Sequence, residues 1–189
     1  MNILWFNWKD IKHPEAGGAE VFTHEIAKRL VKNGFNVTLF SSKYDGCKEE
    51  EFIDGIRIFR SGNKYSVYRE AKRFYNKYSY QFDLIIDEVN TKPFLTPKFV
   101  DKPIIALIHQ LAREYWFYET RFPINVIGYY LLEKHWLKHY IDIPTIVPSN
   151  STKEDLLRLG FKHLYLVPEG LSIKPVSYTH LTLPTNREV

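Results

Sequence analysis

A chain of 189 residues is long enough for one well-cored domain, and a formal net charge of +4 is too small to argue for nucleic acid without a motif. Hydrophobic content of 44% against 25% charged residues excludes general disorder. Cys47 is the single cysteine, which excludes an internal disulfide or a zinc site built on several cysteines and fits a reducing cytosolic setting.

The first 34 residues set the pattern. Ile3 to Phe6 reads as a short buried strand, far too short and too weakly flanked for a signal peptide. No apolar stretch reaches the length of about 18 residues that a membrane span needs. A polar loop, Asn7 to Ala16, leads to Gly17-Gly18-Ala19-Glu20, which opens a helix to about Lys32. Phe22, Ile26 and Leu30 repeat at i, i+4, i+8, while Glu25, Lys28, Arg29 and Lys32 take the other face. His24 is expected on that solvated side. Asn33-Gly34 stops the helix, and Val37 to Phe40 follows as a second buried strand. Strand, helix and strand in this order predict a parallel sheet with a right-handed crossover.

Beyond a polar loop from Ser41 to Glu51, residues 52–59 predict a short strand, a turn at Asp54-Gly55 and a third strand. Lys64 to Tyr80 predicts a helix mixing Tyr65, Tyr68, Phe74, Tyr75 and Tyr78 with Arg69, Lys72, Arg73 and Lys77. It either turns its aromatics to the sheet or lies on an anionic membrane surface. Phe82 to Asp87 and the almost wholly apolar Pro103 to His109 are further strands, the second covered on both faces. Arg113 to Pro123 is irregular, Asn125 to Tyr140 helical, and Thr145 to Val147 a strand. Ser149 begins another helix with a capping side chain, and Leu164 to Val167 is the last strand. The expected fold is α/β: a Rossmann-like, doubly wound parallel sheet.

Gly17-Gly18 at a helix N-terminus is a ready anion cradle or, more plainly, a tight strand-to-helix turn. No Gly-x-Gly-x-x-Gly or Gly-Lys-Ser/Thr signature accompanies it, which argues against a dinucleotide dehydrogenase and a P-loop NTPase. His109 ends a central strand where open α/β sheets place ligands, or is satisfied there by a backbone carbonyl. Glu20 is expected to cap the helix. Asp87, Glu88, Asn90 and Arg113, with Asn7, Trp8 and Lys9 in the first loop, are candidates for ligand contacts on the presumed active face or for plain loop structure.

These segments, in this order and spacing, resemble the N-terminal half of family 4 retaining glycosyltransferases of the two-domain GT-B architecture. Carrying the resemblance are Gly17-Gly18-Ala19-Glu20, Ile105 to Gln110 with His109, Val147 to Leu156, and Val167-Pro168-Glu169-Gly170-Leu171. It implies a metal-independent, cofactor-free transferase that moves a sugar from a nucleoside-diphosphate-sugar to a glycan, lipid or small-molecule acceptor, as in cell-envelope glycan synthesis. Gly17 and Gly18 would meet the donor diphosphate, His109 would act beside the transferred sugar, and Glu20, Asn7, Trp8, Glu88, Asn90 and Arg113 would face the acceptor. The resemblance covers residues 1–174. The family's second domain, with its basic pair and two glutamates eight apart, is expected to be missing, which would leave the fragment inactive. Val176 to Thr185 resembles translated sequencing adapter, so residues 175–189 are expected to be an artefactual, disordered tail rather than an ordinary polar C-terminus. A cytoplasmic protein is expected, with Lys64–Tyr80 as the candidate for any peripheral contact with the membrane's inner face. A non-catalytic Rossmann-like module for a phosphorylated ligand or a protein partner is the alternative.

Overall fold

The computed structural model describes residues 1–90, 92–111, 133–168 and 170. Their strands form a single eight-stranded sheet. In chain order the elements are β1 (Asn2–Phe6), α1 (Gly18–Lys32), β2 (Asn36–Ser41), β3 (Glu50–Ile53), β4 (Ile56–Arg60), α2 (Val67–Tyr78) and β5 (Leu84–Val89). β6 (Ile104–Ile108), α3 (Glu133–Leu137), β7 (Thr145–Val147), α4 (Asn150–Arg158) and β8 (Leu164–Leu166) follow. The sheet order is β3-β4-β2-β1-β5-β6-β7-β8. Every neighbouring pair is parallel except β3–β4, an edge hairpin. Its turn is Asp54-Gly55, both at positive φ (51° and 82°), the backbone twist that suits a two-residue hairpin.

The central strands are apolar on both faces because helices cover both. Ile3 and Trp5 of β1 face the α1 layer with Val37, Leu39, Ile56, Ile58 and Ile86. Leu4 and Phe6 face the α2 layer, where Phe74 stacks among Phe40, Phe59 and Tyr78 at 4.6–5.1 Å between ring centres. α2 therefore buries Phe74 and Tyr75 and leaves Arg69, Lys72, Arg73 and Lys77 exposed. It is shorter than the expected helix, with Tyr65 and Tyr80 exposed beyond its ends. A third cluster, with Leu137, Tyr140 and Leu156, covers Ala106, Ile108 and Val147. On the α1 side, an apolar groove of about 240 Å³ runs between Phe22, Ile26 and Leu30 and the strand residues Leu84, Ile86, Ile105, Leu107 and Ile146.

Three features depart from the sequence reading. His24 is buried, not solvated: the hairpin turn docks on α1, and His24 Nε2 meets Asp54 Oδ2 at 2.9 Å. β5 runs on through Asp87 and Glu88 to Val89, so these neighbouring carboxylates point to opposite faces. The described end of the helix expected over 125–140 is a short α3 continued by a 3₁₀ turn, Lys138–Tyr140. Arg113 and the segment 175–189 lie outside the described residues.

A buried ion pair, unforeseen from sequence, fixes the loop after β1. The Arg60 guanidinium clasps Asp10 through Nε–Oδ2 at 2.6 Å and Nη2–Oδ1 at 2.8 Å, and both side chains are fully buried. Arg60 Nη1 also donates to Glu51 Oε1 at 2.7 Å and to the Lys48 carbonyl at 3.0 Å, and Ser41 Oγ donates to Asp10 Oδ2 at 2.9 Å. Burial alone would raise the Asp10 pKa, but the bonds from Arg60, the Lys12 amide and Ser41 outweigh it and hold it below the ordinary value. The chain that leads to Gly17 is thereby tied to β2, β3 and β4.

Candidate functional site

The chain order of the sheet reverses between β1 and β5, and open α/β sheets open a ligand crevice beyond the carboxyl ends of the strands at that point. Asn7 leaves β1 there, Asn90 leaves β5, His109 leaves β6, and the N-terminus of α1 closes the fourth side. The structure thus gathers His109, Glu88, Asn90 and Asn7 into one hydrogen-bonded group at the base of α1.

Glu88 is the hub of that group. Its buried carboxylate accepts from Trp5 Nε1 at 2.9 Å and Thr23 Oγ1 at 2.5 Å on one oxygen, and on the other meets His109 Nε2 at 3.2 Å and Asn90 Nδ2 at 3.4 Å. A buried polar group is costly unless it is hydrogen-bonded in this way. Facing the Glu88 carboxylate, Nε2 is placed to donate, and the contact holds the direction of the His109 ring. Phe22 packs edge-on against the ring at 5.4 Å, and the His109 carbonyl accepts from Thr152 Oγ1 at 3.0 Å, which ties the strand end to α4. Ser149 caps α4 through the Thr152 amide at 3.2 Å, as its sequence signature predicts. Both oxygens of the Glu88 carboxylate are thus engaged by side chains of the domain itself.

Gly17 is the N-cap of α1, and Glu20 Oε2 accepts its amide hydrogen at 2.6 Å, the capping role expected of Glu20. Gly17 has no side chain to occupy the first turn, and nothing lies within 4 Å of where a Cβ on Gly18 would stand. The Glu20 carboxylate thus sits against the positive end of the helix dipole, beside the space left open at Gly18. Asn7 is buried, with Oδ1 accepting from Asn90 Nδ2 at 3.1 Å, while its Nδ2 donors have no partner among the described residues. Buried donors without a partner are rare enough to mark a place where a ligand or water belongs.

Trp8 and Lys9 stand at the rim. Lys9 Nζ donates to the Glu15 carbonyl at 2.6 Å and lies 4.5 Å over the Trp8 ring, while Lys64 approaches the same ring at 5.6 Å. Asp87 faces away from the crevice. Its carboxylate accepts from Phe94 N, Thr96 N and Thr96 Oγ1 at 3.3, 3.2 and 2.7 Å and from the Tyr140 hydroxyl, a structural role that sequence reasoning missed. Burial pushes the Tyr140 pKa well up, and the neighbouring Asp87 carboxylate adds to the shift. Among the described residues, no cluster of three or more His, Cys, Asp or Glu side chains is placed to hold a metal ion, and no helix is long and apolar enough to cross a membrane.

Sheet order and the switch point between β1 and β5 define a Rossmann-like α/β domain. The chain belongs to Glycosyltransferase Family 4, whose family model matches residues 16–174. Two solved structures share its fold. Sucrose-phosphate synthase from Thermosynechococcus elongatus is 17% identical with a TM-score of 0.61, over 88% of this chain and 47% of that one. The structure described as trehalose-6-phosphate from E. coli bound with UDP-2-fluoro glucose is 12% identical with a TM-score of 0.50, over 91% and 49%. The chain thus spans about half the length of these structures. No curated protein sequence matches it significantly.

Proposed function

We propose that this chain is the acceptor-side half of a two-domain, GT-B glycosyltransferase that moves a hexosyl group from a nucleoside-diphosphate-sugar with retention at the anomeric carbon. The observation that carries the reading is the pairing, at the switch point of a family 4 domain, of the glycine-built N-terminus of α1, with free space at Gly18, and the Glu88-held His109. The departing diphosphate gathers negative charge, and the backbone amides and dipole of α1 stabilise it without a metal ion. His109 sits beside the transferred sugar, its Nε2 proton fixed by Glu88. Asn7, with its unpartnered Nδ2, and Asn90 line the floor on which the acceptor rests.

The donor nucleotide requires a second domain, so residues 1–189 by themselves are inactive in this reading. The enzyme works in the cytoplasm on an envelope glycan or lipid, with the exposed basic face of α2 against the membrane. Reading the source gene beyond codon 175 tests the two-domain proposal. A second α/β domain of similar size with two glutamates eight residues apart is expected. A stop codon there would favour a free-standing module that binds a phosphorylated ligand or a protein partner without catalysis.

A further inference from the structure

The α2 layer stops short of the amino ends of the strands. Phe74 covers Phe40 and Phe59, but α2 ends at Tyr78, and beyond it the same face of the sheet lines a cavity of about 430 Å³. Strand pairing decides which side chains share that cavity. Asn2 stands opposite Asn36, and Arg57 stands opposite both Thr38 and Phe52, so all five project from the α2 face. Gln81, in the turn after α2, closes one side. The volume falls within the range of about 300–1,000 Å³ usual for small-molecule sites. Asn2 and Phe6 are the two ends of β1, roughly 13 Å apart, so the cavity is separate from the crevice at the carboxyl ends.

The polar groups of the lining are only partly used. Asn36 Nδ2 donates to Asn2 Oδ1 at 2.8 Å, which leaves Asn2 Nδ2 as a donor and Asn36 Oδ1 as an acceptor. Gln81 Nε2 donates to the Tyr80 hydroxyl at 3.1 Å, which leaves Gln81 Oε1 as an acceptor. Arg57 Nε donates to Glu50 Oε1 at 2.7 Å, and its two terminal nitrogens have no partner among the described residues. The Thr38 hydroxyl, on a residue only 7% exposed, has none among them either. Phe52 presents its ring at the rim, 70% exposed.

This inventory selects a chemistry. Arg57 is the one charged side chain among the described lining residues, and Glu50 balances it, so an anion gains little there. The amide oxygens of Asn36 and Gln81 would moreover repel a phosphate or carboxylate. Spare donors and spare acceptors lie side by side, and a hydroxyl satisfies both kinds, since it donates once and accepts twice. A molecule with several hydroxyls around its rim and an apolar C–H face to lie on an aromatic ring is a sugar.

We propose that this cavity binds a neutral saccharide, with the C–H face of the sugar on Phe52 and its hydroxyls on Arg57, Asn2, Asn36, Thr38 and Gln81. The site lies at the other end of the sheet from the crevice, and it stands whether or not the chain transfers sugar.

The test is an NMR titration of the ¹⁵N-labelled 189-residue chain with maltose, cellobiose and lactose, which differ in linkage and hydroxyl orientation, and with sodium phosphate. At least one disaccharide is expected to shift the side-chain amide signals of Asn2, Asn36 and Gln81 and the Arg57 Nε signal saturably, with a millimolar Kd. Phosphate should not. Phe52→Ala should weaken the binding about fivefold or more, and Phe52→Trp should keep it. Because Phe52 is exposed, its replacement leaves the core intact, and the backbone amide spectrum verifies the fold of each variant. Tyr165→Ala, which removes another exposed ring on β8, should bind as the wild type does. No shift with any of the three disaccharides, shifts confined to Asn7 and Asn90 of the crevice, a phosphate shift of the same signals, unchanged binding in Phe52→Ala, or an equal loss in Tyr165→Ala would overturn the proposal. These measurements need no sugar transfer, so their failure leaves the glycosyltransferase reading standing, and failure of transfer leaves saccharide binding intact.

Discussion

Replacing Asp10 by Asn removes the charge that pairs with a fully buried guanidinium while keeping the shape of the side chain. The Arg60–Asp10 contact is bidentate at 2.6 and 2.8 Å, and the second partner of Arg60, Glu51, is more exposed and shared with Lys12. Breaking a buried pair on one side leaves an uncompensated charge and costs about 3–5 kcal/mol, or roughly 6–20 °C in Tm for a domain of this size. An exposed pair such as Lys43–Glu49, 3.1 Å apart, serves as the control and should cost below about 1 kcal/mol. Replacing both partners, Asp10→Leu with Arg60→Met, should cost less than Asp10→Asn alone, because no buried charge remains. Urea unfolding at pH 7 followed by far-UV circular dichroism measures all three. The pH dependence has a definite sign. The folded pKa of Asp10 is lowered from 3.8, so its contribution is complete above that value and is lost as the pH falls through the lower folded one. The stability difference between wild type and Asp10→Asn should therefore be flat through neutrality and shrink only below pH 3.8. A loss under about 1 kcal/mol for Asp10→Asn at pH 7, or a difference that narrows near neutrality, would refute the reasoning.

Tyr140→Phe deletes one donor to the buried Asp87 carboxylate and should cost about 1–3 kcal/mol in the same urea assay, without enlarging a cavity. In the complete enzyme, Glu88→Gln should lower kcat by up to about a hundredfold with little change in KM, since it frees the His109 ring to turn. A rise in KM alone would place Glu88 at the acceptor instead. Vesicles with anionic lipid should sediment the chain, and the combined Arg69→Gln, Lys72→Gln, Arg73→Gln and Lys77→Gln variant should stay in solution. Unchanged sedimentation of that variant would remove the membrane role of α2.

The alternation of strands and helices was legible because its signals are local. The apolar period of α1, the Asp54-Gly55 turn and the Ser149 cap each lie within a few residues of what they specify. Glu20 capping Gly17 belongs to the same class. What escaped the sequence is what depends on partners far along the chain. His24 looks solvated by its helical position, yet the turn 30 residues away covers it. Arg60 and Asp10 lie 50 positions apart, and Tyr140 and Asp87 lie 53 apart. The charges of Asp87 and Glu88 read as a strand's end, but the strand continues because each carboxylate finds its donors inside the fold. Asn7, Glu88, Asn90 and His109 do meet in one hydrogen-bonded group beside α1, and the Glu88–His109 contact needed coordinates.

The most direct test of the glycosyltransferase account is an assay of the complete gene product for release of nucleoside diphosphate from a panel of nucleoside-diphosphate-hexoses, with ¹H NMR of the product's anomeric centre. The account predicts transfer with the donor's anomeric configuration kept, and its loss in His109→Ala. Inversion at the anomeric carbon, or transfer that His109→Ala leaves at the wild-type rate, would contradict it.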